Sequence, residues 1–199
     1  MIFQKKIDIR KKYLFYRKYF FTEKNINFFS KKIFFQLKKL PIWNKKYYHI
    51  FIPIKKYREI NTFIIINFLL KKKSKCVVTI PFLNFYDNSI KNCLFNKKIT
   101  LKKNKYGILE PIYKKYIPPS CIEIIFIPLL IFDSRGYRIG YGKGFYDRFI
   151  TKCSNNIIKI GLSIFNPLNN LILDIHKNDL ILDIGVTPNK IFFFKNEKI

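Results

Sequence analysis

A chain of 199 residues, 49% of them hydrophobic, can bury a substantial core and suits one domain. Its formal net charge of +27 is that of a nucleic-acid binder, but the charge is carried by 33 lysines against 6 arginines, and alanine is absent. Lys, Ile, Asn, Phe and Tyr have AT-rich codons and alanine GC-rich ones, so the charge reads as codon bias; a base-reading surface would favour arginine forks.

The four cysteines, at 76, 93, 121 and 153, form no CxxC pair, and only two histidines occur. This argues against a zinc site, a disulfide framework and a Cys/His nucleophile pair. Isolated thiols with apolar flanks point to a reducing compartment, and a cytoplasmic protein is expected. The opening "MIFQKKIDIRKK" shows no apolar signal-peptide core, and "IIFIPLLIF" at 124–132 is too short to span a bilayer.

Apolar residues at mixed three- and four-residue spacings predict helices over 3–20 and 23–40, the second capped by Thr22 and ended by Pro41. "YYHIFIP" at 47–53 predicts a strand, "EINTFIIINFLLKKK" at 59–73 a helix with a basic last turn, and "CVVTIP" at 76–81 a second strand. Strand–helix–strand implies a parallel sheet. The stretch 82–120 reads as irregular. "IEIIFIP" at 122–128 predicts a strand covered on both faces. A helix follows at about 145–153, then strands at 157–163 and 183–187, with 190–194 a further candidate. The fold class expected is α/β: a single domain over 1–199 with a central, mostly parallel sheet flanked by helices.

Between the buried strand and the short helix lies "DSRGYRIGYGKGFYDRF", residues 133–149, with glycines at 140, 142 and 144. Glycines allow positive φ and close approach of the main chain to a ligand. Successive N–H groups then form an anion-binding concavity, and the following helix adds unpaired donors. Arg138 and Lys143 add full charges, which suits a polyphosphate. The spacing is neither GxxxxGK[ST] nor GxGxxG, and Phe145 stands where a magnesium-binding hydroxyl would be wanted, so a metal must be held by carboxylates such as Asp147.

"IFDSRGYRIGYGKGFYDRF" resembles the signature of the 5-formyltetrahydrofolate cyclo-ligase family. "KKIDIRKKYLFYR" is similar to that family's opening and places Lys6, Arg10 and Arg17. "IFIPIKKYREINT" resembles its strand and helix start and places Glu59; "YGILEP" at 106–111 and "KNDLILDIGVTP" at 177–188 resemble two later elements. Phe82 departs from the pattern, which has a basic residue after the proline of the second strand. The resemblance implies conversion of 5-formyltetrahydrofolate to 5,10-methenyltetrahydrofolate with ATP as co-substrate and Mg2+. It implies Lys143 and Arg138 as catalytic residues. ATP would be bound by Lys6, Arg10, Arg138, Ile139, Gly140, Tyr141, Gly142, Lys143, Gly144, Phe145 and Tyr146. The folate, with or without a polyglutamate tail, would meet Ile54, Glu59, Tyr141 and Phe145. Asp147 and Asp179 would hold the metal, with Asp183 open as the alternative to Asp179 and Lys5 as the alternative to Lys6. No specific nucleic acid, no membrane and a monomeric state are expected. The competing reading is a basic RNA- or acidic-partner-binding protein that uses the glycine loop as a phosphate clamp. Without the family match, Arg10 and Arg17 read as helix-surface cations.

Overall fold

The computed structural model describes residues 3–72 and 76–194. Its first element is a short strand, β1 (Phe3–Gln4), paired in parallel with Leu171–Ile172. This pairing takes the first residues of the helix predicted from residue 3, and α1 runs Lys6–Phe20. In α2 (Glu23–Leu37), Thr22 forms a capping box: its hydroxyl accepts from Asn25 N at 3.2 Å, and Asn25 Oδ1 accepts from Thr22 N at 3.1 Å. The helix stops at Leu37, four residues before Pro41, which has no N–H to offer the Leu37 carbonyl; the Trp43 indole N–H donates to that carbonyl at 3.0 Å.

Strand β2 (Tyr47–Ile50), helix α3 (Phe63–Lys71) and strand β3 (Val77–Asn84) form the expected βαβ unit. α3 begins later than predicted because residues 59–62 are tied down: the Thr62 hydroxyl donates to the Phe51 carbonyl at 2.6 Å, and Asn61 N donates to Ser30 Oγ at 2.8 Å. The predicted end of that helix, residue 73, lies outside the described residues.

The stretch read as irregular carries the turns and most of the strands of two hairpins. β3 turns at Asp87–Asn88 into β4 (Ser89–Phe95), with Asn88 at φ 51° and the Asp87 carboxylate accepting from Ser89 N at 2.9 Å. β5 (Leu101–Lys103) and β6 (Leu109–Pro111) form a second hairpin, whose turn is held by Asn104 Oδ1 accepting from Tyr106 N and Ile108 N. The central strand β7 (Ile124–Pro128) follows. A small hairpin, β8 (Ile131–Phe132) and β9 (Arg138–Ile139), then separates it from the glycine loop and α4 (Phe145–Ile150). The expectation that the loop follows the buried strand directly is corrected by that hairpin. It is pinned by Asp133, whose fully buried carboxylate accepts from Arg135 N, Tyr137 N and the Arg135 guanidinium. β10 (Ile158–Leu162), β11 (Leu171–Ile172), β12 (Ile184–Val186) and β13 (Ile191–Phe193) complete the chain order.

The main sheet has seven strands in the order β13-β12-β10-β7-β2-β3-β4, parallel except at its two edges. The β2–α3–β3 crossover steps toward one edge and the β7–α4–β10 crossover toward the other, so the winding reverses between β2 and β7. Alternation along β2 sends Tyr48 toward Trp43 and α3, and His49 toward Phe149 of α4. The result is one α/β domain whose ligand crevice is expected beyond the carboxyl ends of β2 and β7.

Candidate active site

A cavity of about 640 Å³ opens at that switch point. Phe51, Ile52 and Ile54 beyond β2, Pro81 and Leu83 of β3, and Pro128 of β7 form its apolar floor. Lys6 and Arg10 of α1, the stretch Gly140–Asp147, Arg138 and Asp179 form its polar wall, and Glu59 also faces it.

The glycine loop is built as a close-approach surface. Gly142 and Gly144 have φ of +86° and +66°, values that side chains rarely adopt. A Cβ on Gly142 would meet the Arg10 guanidinium at 3.2 Å. Gly140 is the exception to the expected positive φ; a Cβ there would meet nothing within 4 Å, so it borders open cavity. Arg10 Nε donates to the Gly140 carbonyl at 2.9 Å, which fixes α1 against the loop. Lys143 is exposed and makes no ion pair among the described residues. Arg148 clasps the loop from outside, donating to the carbonyls of Lys143 and of Asn88 at the tip of the β3–β4 hairpin.

Two carboxylates share the polar wall, each with a cation. Arg138 straddles Asp147, Nη1 to Oδ1 at 2.8 Å and Nη2 to Oδ2 at 3.3 Å, and Leu180 N donates to the same Oδ1 at 3.1 Å. Burial alone would push the Asp147 carboxyl up; the Arg138 charge and these hydrogen bonds hold it below the usual range. Asp179 Oδ2 accepts from the Lys6 ammonium and from His176 N. Asp183 lies away from the cavity, tied to β10 by Lys159 N at 2.8 Å, so Asp179 is the acid that the fold brings to the site. Lys6 lines the cavity and Lys5 does not. Two carboxylate oxygen donors on the cavity wall fit a hard cation that would share phosphate oxygens. No cluster of three His, Cys, Asp or Glu side chains occurs among the described residues.

Glu59 is only 5% exposed. Its Oε2 accepts from Ile54 N at 2.7 Å, whereas Oε1 is buried and makes no hydrogen bond. Burial raises its pKa; the Ile54 N–H, the Tyr141 hydroxyl and the Arg17 charge act against that rise. Phe145 packs edge-on against Phe85 with ring centroids 5.4 Å apart, and the Phe85 and Tyr106 ring centroids are 4.2 Å apart, so rings from two hairpin tips line the cavity beside the loop.

Most residues singled out from sequence therefore converge on one cavity. Ile139 does not: it is 1% exposed in a core cluster with Ile9 and Ile131, and only its neighbours reach the cavity. Arg17 is corrected from surface cation to a buried residue, 2% exposed. Tyr57, Phe85 and Leu14 also line the cavity; in a chain this rich in aromatic and aliphatic residues, nothing in the sequence distinguishes them.

Comparison with known proteins gives the same picture over most of the chain. The model of the "5-formyltetrahydrofolate cyclo-ligase family" matches residues 2–166. A Schizosaccharomyces pombe protein named "Probable 5-formyltetrahydrofolate cyclo-ligase" is 28% identical over 142 residues, covering 60% of this chain and 70% of its own. The "5-formyltetrahydrofolate cyclo-ligase" of Haemophilus influenzae is 39% identical over 66 residues, 32% of this chain and 35% of that protein. Among solved structures, Aquifex aeolicus 5,10-methenyltetrahydrofolate synthetase superposes with a TM-score of 0.74 at 25% identity, covering 98% of this chain and 95% of that one. The matched span holds α1, Glu59 and the whole glycine loop, and on that span the chain belongs to the 5-formyltetrahydrofolate cyclo-ligase family.

Proposed function

We propose that this protein converts 5-formyltetrahydrofolate and ATP to 5,10-methenyltetrahydrofolate, ADP and phosphate. The observation that carries the reading is one cavity with the glycine loop and Arg10, Arg138 and Lys143 on one wall and the buried Glu59 carboxylate on another. A folate amide and a nucleotide triphosphate need such opposite walls in contact with each other.

A formamide oxygen is a poor leaving group. Its attack on the γ-phosphorus of ATP forms an oxygen–phosphorus bond and releases ADP. Nitrogen 10 of the folate then attacks the activated formyl carbon, loses its proton, and the carbon–oxygen bond breaks to release phosphate. Phosphoryl transfer needs positioning and charge neutralisation more than covalent help. The open backbone at 140–144 admits the phosphates, and Lys6, Arg10, Arg138 and Lys143 supply positive charge around them. Asp147 and Asp179 would hold magnesium, which supplies neutralisation of phosphate charge when bound. Glu59, with one oxygen fixed by Ile54 N and the Tyr141 hydroxyl beside it, presents a carboxylate suited to accept N–H donors of the pterin ring. Ile54, Tyr141 and Phe145 line the same cavity beside it. No helix among the described residues is long and apolar enough to cross a membrane. A reducing, cytoplasmic setting fits the four free thiols.

The test is a direct assay of the purified chain with 5-formyltetrahydrofolate, ATP and magnesium, following methenyl absorbance and phosphate together. One phosphate per methenyl product is expected. Absence of product from folded protein, or product formed without ATP, sinks the proposal.

A further inference from the structure

α1 carries its functional side chains on one stripe. Lys6, Arg10 and Leu14, four residues apart, line the cavity, and Arg17 follows on the same face at its buried end. Burying a guanidinium is costly unless its donors are used. Arg17 uses two: Nη2 donates to the carbonyl of Leu129, just past the end of β7, and Nη1 donates to the Tyr141 hydroxyl at 3.1 Å. Tyr141 stands between Gly140 and Gly142, where the backbone by itself fixes least. Its ring packs on Tyr57 at 5.0 Å between centroids, in the turn that leads to Glu59. One run of contacts therefore joins the end of the central strand, Arg17, the glycine loop and the segment that presents Glu59.

We infer that Arg17 is a positioning residue of the reaction: by holding the Tyr141 hydroxyl it fixes the wall shared by the glycine loop and Glu59, and so seats the folate. This rests on the function proposed above. The charge of Arg17 also acts on Glu59, whose other polar neighbours include the Ile54 N–H and the hydroxyls of Tyr141 and Tyr146. A lysine at 17 keeps the charge but lacks the planar fork that reaches Leu129 and Tyr141 together.

The experiment uses Arg17→Lys, Tyr141→Phe and the double variant of the full chain, with thermal melts, calorimetric titration of 5-formyltetrahydrofolate, and steady-state kinetics. Each single variant is expected to weaken folate binding by about 10- to 100-fold, the effect of one hydrogen bond to a charged group. KM for ATP should change much less. The double variant should bind folate no worse than the weaker single one, because both remove the same contact. Multiplying losses in the double variant, equal losses for ATP and folate, or wild-type folate binding in folded Arg17→Lys would overturn the inference. If Arg17→Lys does not fold, Tyr141→Phe decides alone, and unchanged folate affinity there overturns it. A wild-type chain that neither binds nor cyclises 5-formyltetrahydrofolate overturns the proposed function itself, and this inference with it; active wild type with indifferent variants overturns only the role of Arg17.

Discussion

Lys143 stands exposed between two glycines, free of any ion pair among the described residues, at the wall where the phosphates are proposed to lie. Lys143→Ala should therefore lower turnover by about 10²–10³, the usual effect of deleting one preorganised electrostatic donor, with an unchanged melting temperature. Asp147 is different because it already has a partner. Asp147→Asn leaves Arg138 8% exposed and without its carboxylate. It should raise the magnesium concentration needed for half-maximal rate, with partial rescue at high metal; an unchanged magnesium curve would remove Asp147 from the metal site. Glu59 shows the cost of a binding group. Its pKa is raised by burial, so the folded state resists an ionisation that the unfolded chain undergoes freely. Stability is thus lost as pH rises above the unfolded carboxylate value and is not lost below it. Glu59→Gln should melt higher than wild type at neutral pH, with the difference vanishing in acid, while binding folate about 1.5–3 kcal/mol more weakly and ATP equally well. Calorimetry with each ligand and melts across pH check both halves.

At the scale of elements, β2 carries a titratable group into the core beneath the glycine loop. His49 is fully buried, with Nδ1 2.7 Å from Asn92 Oδ1 on β4 and its ring against Phe149 of α4. Burial lowers its pKa to about 4, against the Asn92 hydrogen bond, which raises it. The unfolded chain takes up a proton near pH 6.5 and the folded chain does not. The His49 contribution to stability should therefore fall as pH drops from about 6.5 to about 4, by on the order of 3 kcal/mol, against an opposite slope from Glu59. Asp147, with its pKa below the usual range, adds its own loss only at lower pH. Denaturant melts of wild type and His49→Gln across this window test the assignment: relative to wild type, the variant should lose the fall in stability toward acid that His49 contributes.

For the whole molecule, the +27 charge is the feature that most invites another function. The lysines are spread over both long helices and many loops, and several sit over exposed rings, such as Lys18 on Tyr19 and Lys39 on Phe35. Random-sequence RNA should bind weakly and without selectivity, with affinity falling steeply as salt rises through counterion release. Tight, sequence-selective binding at physiological salt, measured by a fluorescence titration, would restore the nucleic-acid reading.

Local rules made much of this protein legible in advance. The Thr22 cap, the βαβ unit and the buried strand at 124–128 follow from short-range chemistry and hydrophobic period. The glycine loop was legible because its spacing and embedded charges have few structural uses. What stayed hidden depends on partners far away in sequence. β1 exists only because Leu171–Ile172 comes to pair with it. The hairpins within 82–120 rest on asparagine and aspartate side chains that hold their own turns, a signal that weak strand patterning obscured. That Asp179 lines the cavity while Asp183 is held by Lys159 N depends on the fold, and the burial of Arg17 turned on Leu129 and Tyr141 reaching it from across the fold. Residue types and spacing declare which chemistry a chain can carry; only tertiary packing decides which charges are desolvated together, because desolvation depends on everything that surrounds a group and not on its neighbours in sequence.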